Sequence, residues 1–404
     1  MKLLIAIPAL NEEDSIESTI VRCLDARGRI QANSPIEEVE IAVVSDGSTD
    51  RTVELASRYA GQIKIIVFPV NRGYGAAIKE AWRQSDADVL GFLDADGTCD
   101  PECFAPLCRT LCEQGADIAL GCRLNAGSKM PLVRRIGNRL FAWILHGLSS
   151  KRVHDTASGM RVVRRSSLPK LFPLPDGLHF TPAMSARALL DKDLSIVEID
   201  MPYQERAGES KLRIGKDGLR FLRVILDAAF LYRPSRPLRI LGLACLAIAM
   251  GLMVMPTLYY LQHRSVLEWM LYRFVVSQLV GTAAVLFFAA SYITRKVLRI
   301  TLKRQSGRDP VERVLEHPWF WAIPIGSMAA GTALVIPSFL QVVRTGATYE
   351  HWSRFIVMSF LFAVAQILAI TWVIDYCLKL LSERLAYLES GPAAKPAPAE
   401  EDRS

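Results

Sequence analysis

The stretch LGFLDADGTCDPE, residues 90–102, sets Asp94 and Asp96 one residue apart where an apolar run ends. Two carboxylates this close repel, and desolvation raises the cost of ionising both, so a compensating positive charge is expected beside them. A divalent cation supplies it. Few, hard oxygen donors favour Mg2+ or Mn2+, with a phosphate completing the shell. An isolated Asp-x-Asp followed by a glycine is commonly a solvated turn, so the position of this pair among the other apolar runs decides how it is read.

Four such runs, KLLIAIP, EIAVVSD, IKIIVFP and DVLGFLD, fall within the first hundred residues and read as buried strands. Between them NEEDSIESTIVRCLDA, STDRTVELASRYA and YGAAIKEAWRQS carry helical periodicity. Strand, helix, strand repeated three times predicts a doubly wound α/β sheet. Ligands of such sheets sit beyond the carboxyl ends of the strands. There the chain places PALNEE, SDGSTD, NRGYGAA and DADG, rich in carboxylates and in small residues that expose backbone N–H groups. Taken singly, Asn11, Asp50 and Gly75 are equally well explained as helix caps or stops; their convergence points to a nucleotide with phosphates and a metal.

Together IPALNEE, VVSDGSTDRT, NRGYGAA and FLDADGT resemble the nucleotide-sugar half of inverting family-2 glycosyltransferases of the GT-A fold. GCR, DTASGMRVVRRS and RAGESKLRIGKDGLRFL resemble the polyprenyl-phosphate branch, the dolichol-phosphate-mannose and bactoprenol-phosphate-glucose synthases, so that the likeness runs over about residues 3–226. The resemblance implies an α/β GT-A nucleotide-sugar-binding domain. On the donor side it implies that Pro8, Leu10 and Glu12 border the base, with Leu10 where many relatives carry an aromatic residue. Asp46 and Gly73 complete that side, and Asp94 and Asp96 hold the metal and the diphosphate. On the acceptor side Arg123 and Arg134 meet the lipid phosphate, Arg135 being an equally good neighbour of Arg134. Asn138 stands where relatives often have a serine. Asp155 and Arg161 form the acceptor loop, and Arg206, Ser210 and Lys211 close over the phosphate. Catalysis is thereby assigned to Asp96, Asp155 and Arg123.

The chemistry asks for these residue types. A lipid monophosphate has a second pKa of about 6 and is largely a dianion at neutral pH, so it needs no strong general base. Its difficulty is approach to a nucleotide diphosphate, and like charges repel. A metal on the donor side and basic residues on the acceptor side answer that problem, the metal also stabilising the departing diphosphate. In-line displacement at the anomeric carbon inverts its configuration. Asp155 is then expected to orient an arginine or the loop rather than to remove a proton, and His154 beside it reads as incidental. Each basic residue alone would also suit a solvated face near lipid headgroups.

The chain of 404 residues exceeds what one core usually organises. Its last 170 or so residues contain four apolar segments, at about 238–261, 271–293, 318–342 and 355–378, each near the 20 residues that span a bilayer. The loop TRKVLRITLKRQSGRDPVERVLEH carries seven Lys or Arg, which by the positive-inside rule makes it, the N-terminal domain and the tail cytoplasmic. MKLLIAIPALNEE is too briefly apolar and too soon acidic for a signal peptide. The expected organisation is residues 1–216 as the transferase domain, 217–236 as an interfacial amphipathic helix and connector, and 237–380 as an all-α transmembrane domain of four helices. Residues 381–404, rich in Pro and Ala, form a disordered tail. The stretch 132–148 is amphipathic like 217–232. A net charge of +7 suits anionic lipid or phosphorylated substrates. The eight cysteines read as reduced thiols; Cys99, Cys103, Cys108 and Cys112 have helical spacing but no Cys-x2-Cys knuckle.

These features predict an integral membrane enzyme with a nucleotide diphosphate sugar, a polyprenyl phosphate and the membrane as partners. No nucleic acid is expected, and a homo-oligomer is compatible with the pattern. A processive polysaccharide synthase would show Q-x-x-R-W after the acidic pair, a string this chain lacks. GYGAAI is a poor dinucleotide fingerprint because Ile78 occupies its third glycine position. A membrane scaffold with a decayed transferase domain is the remaining alternative, and the intact acidic and basic residues count against it.

Overall fold

The computed structural model describes residues 1–125, 128–204, 214–301, 310–348 and 350–390. The chain divides into two compact units, Met1–Arg233 and Pro234–Ser404.

The first unit is built on a seven-stranded sheet of β1 (Lys2–Ala9), β2 (Glu38–Asp46), β3 (Lys64–Phe68), β4 (Val89–Leu93), β5 (Ile118–Cys122), β6 (Met160–Arg164) and β7 (Ile196–Asp200). Its order is β3-β2-β1-β4-β6-β5-β7. The four strands expected from their apolar runs are mutually parallel, with β1 between β2 and β4. The far half differs from a purely doubly wound sheet, because β6 runs antiparallel to both β4 and β5. Its strands, MRVVR and IVEID among them, are short and mixed with charge, so they lack the continuous apolar signature of the first four.

Helices cover both faces: α1 (Ile16–Asn33), α2 (Thr52–Ser57), α3 (Tyr74–Arg83), α4 (Phe104–Glu113), α5 (Leu132–Leu148), α6 (Leu168–Leu171), α7 (Phe180–Leu190) and α8 (Ile214–Tyr232). Strand alternation divides the core. Leu3, Ile5 and Ile7 join α1 and α4 in one apolar layer, whereas Leu4 and Ala6 join α3 and α7 in the other. A third cluster gathers Leu145, Leu189, Ile225 and Ala229 from α5, α7 and α8. Helix α8, expected as a separate interfacial connector, therefore buries one side within the first unit. Its other side presents Leu219, Leu226, Phe230 and Leu231 to the exterior.

The second unit contains α9 (Ser235–His263), α10 (Leu271–Thr301), the short α11 (Pro310–Leu315), α12 (Ala322–Thr345) and α13 (Trp352–Ser390). Four segments, Ser235–His263, Glu268–Thr301, Ala322–Thr345 and Trp352–Tyr387, are long and apolar enough to cross a membrane. Each contains one of the four apolar segments read from the sequence, apart from the first few residues of the third. Small residues let them approach: Gly242 faces the Phe288 ring and Gly281 the Phe360 ring. Lys296 and Tyr292 of α10 both reach the buried carboxylate of Asp375 on α13.

Candidate active site

The carboxyl ends of β1, β2 and β4 open onto a pocket of about 660 Å³ whose far wall is formed by α5, α8 and the residues following β5. Its near wall carries Pro8, Leu10, Glu12, Asp46, Gly73, Asp94 and Asp96, every residue assigned to the donor side from the sequence.

The loops of this wall are cross-tied. Asn11, which takes a left-handed backbone at φ 49°, accepts from the Thr49 N–H, and the Asn11 N–H donates to Ser48 Oγ. The loops after β1 and β2 are held together by these bonds. Asp46 is almost fully buried and accepts from the N–H groups of Arg72 (2.6 Å) and Gly73 (2.9 Å). Burial raises its pKa above the usual carboxylate value, and those two N–H bonds oppose the shift. Gly73 sits at φ 107°, where an added Cβ would lie 2.4 Å from the Asp176 carbonyl oxygen. The N–H groups of Gly75 and Ala76 donate to that same carbonyl. The expectation that NRGYGAA offers free N–H groups to phosphate is therefore corrected: those of Gly73, Gly75 and Ala76 are engaged within the protein, because the segment is threaded between β2 and the loop before α7.

The acidic pair does not lie on a strand. β4 ends at Leu93, and residues 94–97 form a turn with Gly97 at φ 72°. Helix α1 grips this turn from behind, with Thr19 Oγ1 donating to the Ala95 carbonyl and Arg22 donating to the carbonyls of Gly97 and Cys99. Asp96 Oδ1 accepts from the Thr98 hydroxyl and N–H. Asp94 Oδ1 accepts from the Tyr74 hydroxyl at 2.6 Å. Burial, reinforced by the Asp94 charge, raises Tyr74 well above the ordinary phenol value, so it stays protonated and donates. The turn thus presents two carboxylates to one pocket. Among the described residues no three His, Cys, Asp or Glu side chains gather into a metal cluster, the four cysteines near 99–112 included. Two hard oxygen donors at a pocket wall fit a divalent cation whose remaining ligands come from a bound substrate.

The far wall is basic. Arg123, just beyond β5, pairs with the fully buried Asp155 through Nε (2.7 Å) and Nη2 (2.9 Å), a two-pronged ion pair. Its guanidinium also lies over the Tyr203 ring at 5.5 Å. Burial alone would raise the Asp155 pKa, but the Arg123 charge together with the hydrogen bonds from Arg123 and Asn138 outweighs it and holds the carboxyl below its usual value. Asn138 on α5 donates to Asp155 Oδ1 and accepts from the Thr156 hydroxyl and N–H. Arg134 also lines the pocket, whereas Arg135 turns to the Ser128 carbonyl, which separates two residues the sequence left equivalent.

Asp155 does not line the pocket; its carboxylate pairs with Arg123 and Asn138, the position of a group that orients an arginine. One acceptor-side assignment changes. Arg161 is not a phosphate ligand. It lies on β6, fully buried, and donates to the carbonyls of Ser158 and Thr156 and to Ser185 Oγ, so the acceptor loop is folded around it. Burial lowers its pKa to about 10, with the Asp155 charge opposing. Arg206, Ser210 and Lys211 lie outside the described residues. His154 pairs with Glu198 away from the pocket.

The structure adds Arg220 of α8 to the basic wall, tied to Asp217 at 3.2 Å. Its sequence context, RFLR in an amphipathic stretch, did not separate it from solvated arginines. Met130, Val133, Phe141 and Phe221 make the rest of that wall apolar. Outside it, α5 exposes Leu132, Ile136, Leu140 and Trp143, the last 72 % exposed.

A model of the glycosyl transferase family 2 domain matches residues 4–172. The chain is 33 % identical over 257 residues to the low-salt glycan biosynthesis hexosyltransferase of Haloferax volcanii, covering 61 % of this chain and 59 % of that protein. It is 32 % identical over 219 residues to the dolichyl-phosphate hexose transferase of the same organism, covering 52 % and 86 %. The match thus takes in less than two thirds of the first relative and most of the second. Among solved structures, glucosyl-3-phosphoglycerate synthase from Mycobacterium tuberculosis, crystallised with Mn2+, UDP and glucosyl-3-phosphoglycerate, superposes with a TM-score of 0.45 at 22 % identity, over 56 % of this chain and 80 % of that one.

Proposed function

Because the chain belongs to glycosyl transferase family 2, a GT-A-type α/β glycosyltransferase domain followed by four apolar helices, we propose that it transfers a single hexose-type sugar from a UDP- or GDP-linked donor to a polyprenyl phosphate. The observation that carries this reading is one pocket lined both by acidic side chains from strand ends and turns, Asp46, Asp94 and Asp96, and by basic ones, Arg123, Arg134 and Arg220. The dolichyl-phosphate specificity in the name of one relative points the same way.

Asp94 and Asp96 would hold Mg2+ or Mn2+, which when bound supplies positive charge to the departing diphosphate. Asp46 braces the 72–73 backbone that faces the nucleoside. Arg123, oriented by Asp155 and Asn138, and Arg134 and Arg220 offset the negative charge of the acceptor phosphate. Among the described residues the carboxylates lining the pocket are Glu12, Asp46, Asp94 and Asp96, and all four stand on the donor wall. That suits an acceptor already ionised, which attacks in line without a protein base and inverts the anomeric centre. The apolar faces of α5 and α8 suit a bilayer surface, and the Lys/Arg-rich segment 294–317 favours a cytoplasmic position for the transferase domain and both termini.

The test is transfer by purified full-length protein from a panel of radiolabelled nucleotide sugars to one polyprenyl phosphate. The expected result is a chelator-sensitive, single-sugar lipid product of inverted configuration. Polymeric product would favour a processive synthase, and absence of transfer from every donor would favour a scaffold.

A further inference from the structure

Tyr74 lies between two glycines at the start of α3, and its ring is fixed edge-on by Phe92 of β4 and Phe180 of α7, at centroid distances of 6.4 and 6.5 Å. Phe92 is fully buried two residues before Asp94, so the ring and the carboxylate are registered to the same strand end. The phenol reaches Asp94 Oδ1 at 2.6 Å. On the opposite side Asp94 rests on Gly159, where an added Cβ would fall 1.8 Å from Oδ2. One carboxylate is therefore held between a hydroxyl donor and a bare stretch of backbone.

We propose that Tyr74 is a positioning residue that orients Asp94 for a divalent cation, with Gly159 as the surface against which Asp94 is set. The proposal rests on the reading of Asp94 and Asp96 as the cation's protein ligands. A ligand carboxylate whose rotamer is already fixed loses less freedom on binding. Partners that orient ligands in this way are typically worth about 10- to 100-fold in metal affinity or activity. Tyr74 also lines the pocket, and the role assigned to it is exerted through Asp94.

Mn2+ titrated into the full-length protein, with the free ion counted by electron paramagnetic resonance, tests this without turnover. Tyr74→Phe keeps both ring contacts and removes only the hydroxyl. It is expected to weaken Mn2+ binding about tenfold or more while leaving the melting temperature unchanged. Its transfer activity should recover as Mn2+ is raised in proportion, a rescue that a packing defect would not show. Gly159→Ala disturbs the same carboxylate from the other side and should weaken Mn2+ as well. Wild-type Mn2+ affinity in Tyr74→Phe and Gly159→Ala, with Asp94→Asn weakened, would overturn the positioning role and leave the acidic pair standing. Wild-type affinity in Asp94→Asn would remove the ligand assignment and the role of Tyr74 with it.

Discussion

The two walls of the pocket are built on opposite plans. The donor wall consists of strand ends and turns whose carboxylates are tied to backbone: Asp46 to the N–H groups of Arg72 and Gly73, Asp96 to Thr98, and the whole 94–97 turn to Thr19 and Arg22 of α1. The acceptor wall consists mainly of helices, with one buried arginine locked to Asp155 and two others, Arg134 and Arg220, carried on elements that also expose apolar side chains. Rigid anionic loops suit a soluble nucleotide that must be gripped at fixed points. Cations on amphipathic helices suit an acceptor whose charged head and apolar tail arrive together.

Breaking the anchor of the acceptor wall should have the largest effect. Asp155→Ala leaves Arg123 buried without its partner and is expected to cost about 3–5 kcal/mol, read as a lowered melting temperature together with loss of transfer. The pH dependence follows from the direction of the shift. The folded pKa of Asp155 lies below its unfolded value, so its stabilisation is complete above about pH 4 and is lost as pH falls through the folded pKa. The gap in stability between wild type and variant should accordingly be full at neutral pH and narrow in acid; a gap independent of pH would show that packing, not charge, is what Asp155 supplies.

On the donor wall Asp96→Asn should lower turnover about 10²- to 10³-fold, the scale for losing one group that stabilises developing charge, and should alter the metal dependence. Unchanged rate and metal response would exclude Asp96 as a ligand. Arg134→Ala and Arg220→Ala are expected to raise the apparent KM for polyprenyl phosphate about tenfold each, the scale of one charge-assisted hydrogen bond, with the KM for the nucleotide sugar unaffected. An effect on the nucleotide instead would erase the distinction between the walls. The smallest effect belongs to the outer apolar face: Leu140→Ser with Trp143→Ser should weaken binding to anionic vesicles several-fold and leave melting unchanged, because both side chains are exposed.

The donor wall was legible in the sequence because local rules govern it. Four continuous apolar runs announce buried parallel strands, and the residues that follow each run must face the ligand-binding edge. Pro8, Leu10, Glu12, Asp46, Gly73, Asp94 and Asp96 all line the pocket accordingly. The acceptor wall was legible only in part. Arg123 and Arg161 look alike as arginines in polar motifs, yet one borders the pocket and the other is enclosed by carbonyls. Arg220 and Tyr74 carry no local signal of their place, the first among similar arginines of an amphipathic helix and the second inside a glycine-rich segment.

What the sequence determined by itself, then, was the order of the strands' chemistry and the apolar length of four helices, since both follow from periodicity and composition along the chain. The tertiary structure alone decided the reversed β6, the engagement of the NRGYGAA amides, and which basic side chains face the pocket. The physical reason is range: an apolar run or a turn is specified by neighbours in sequence, whereas the contacts that set Asp94 and Arg123 come from groups 20 or more residues away, between Tyr74 and Asp94 and between Arg123 and Asp155.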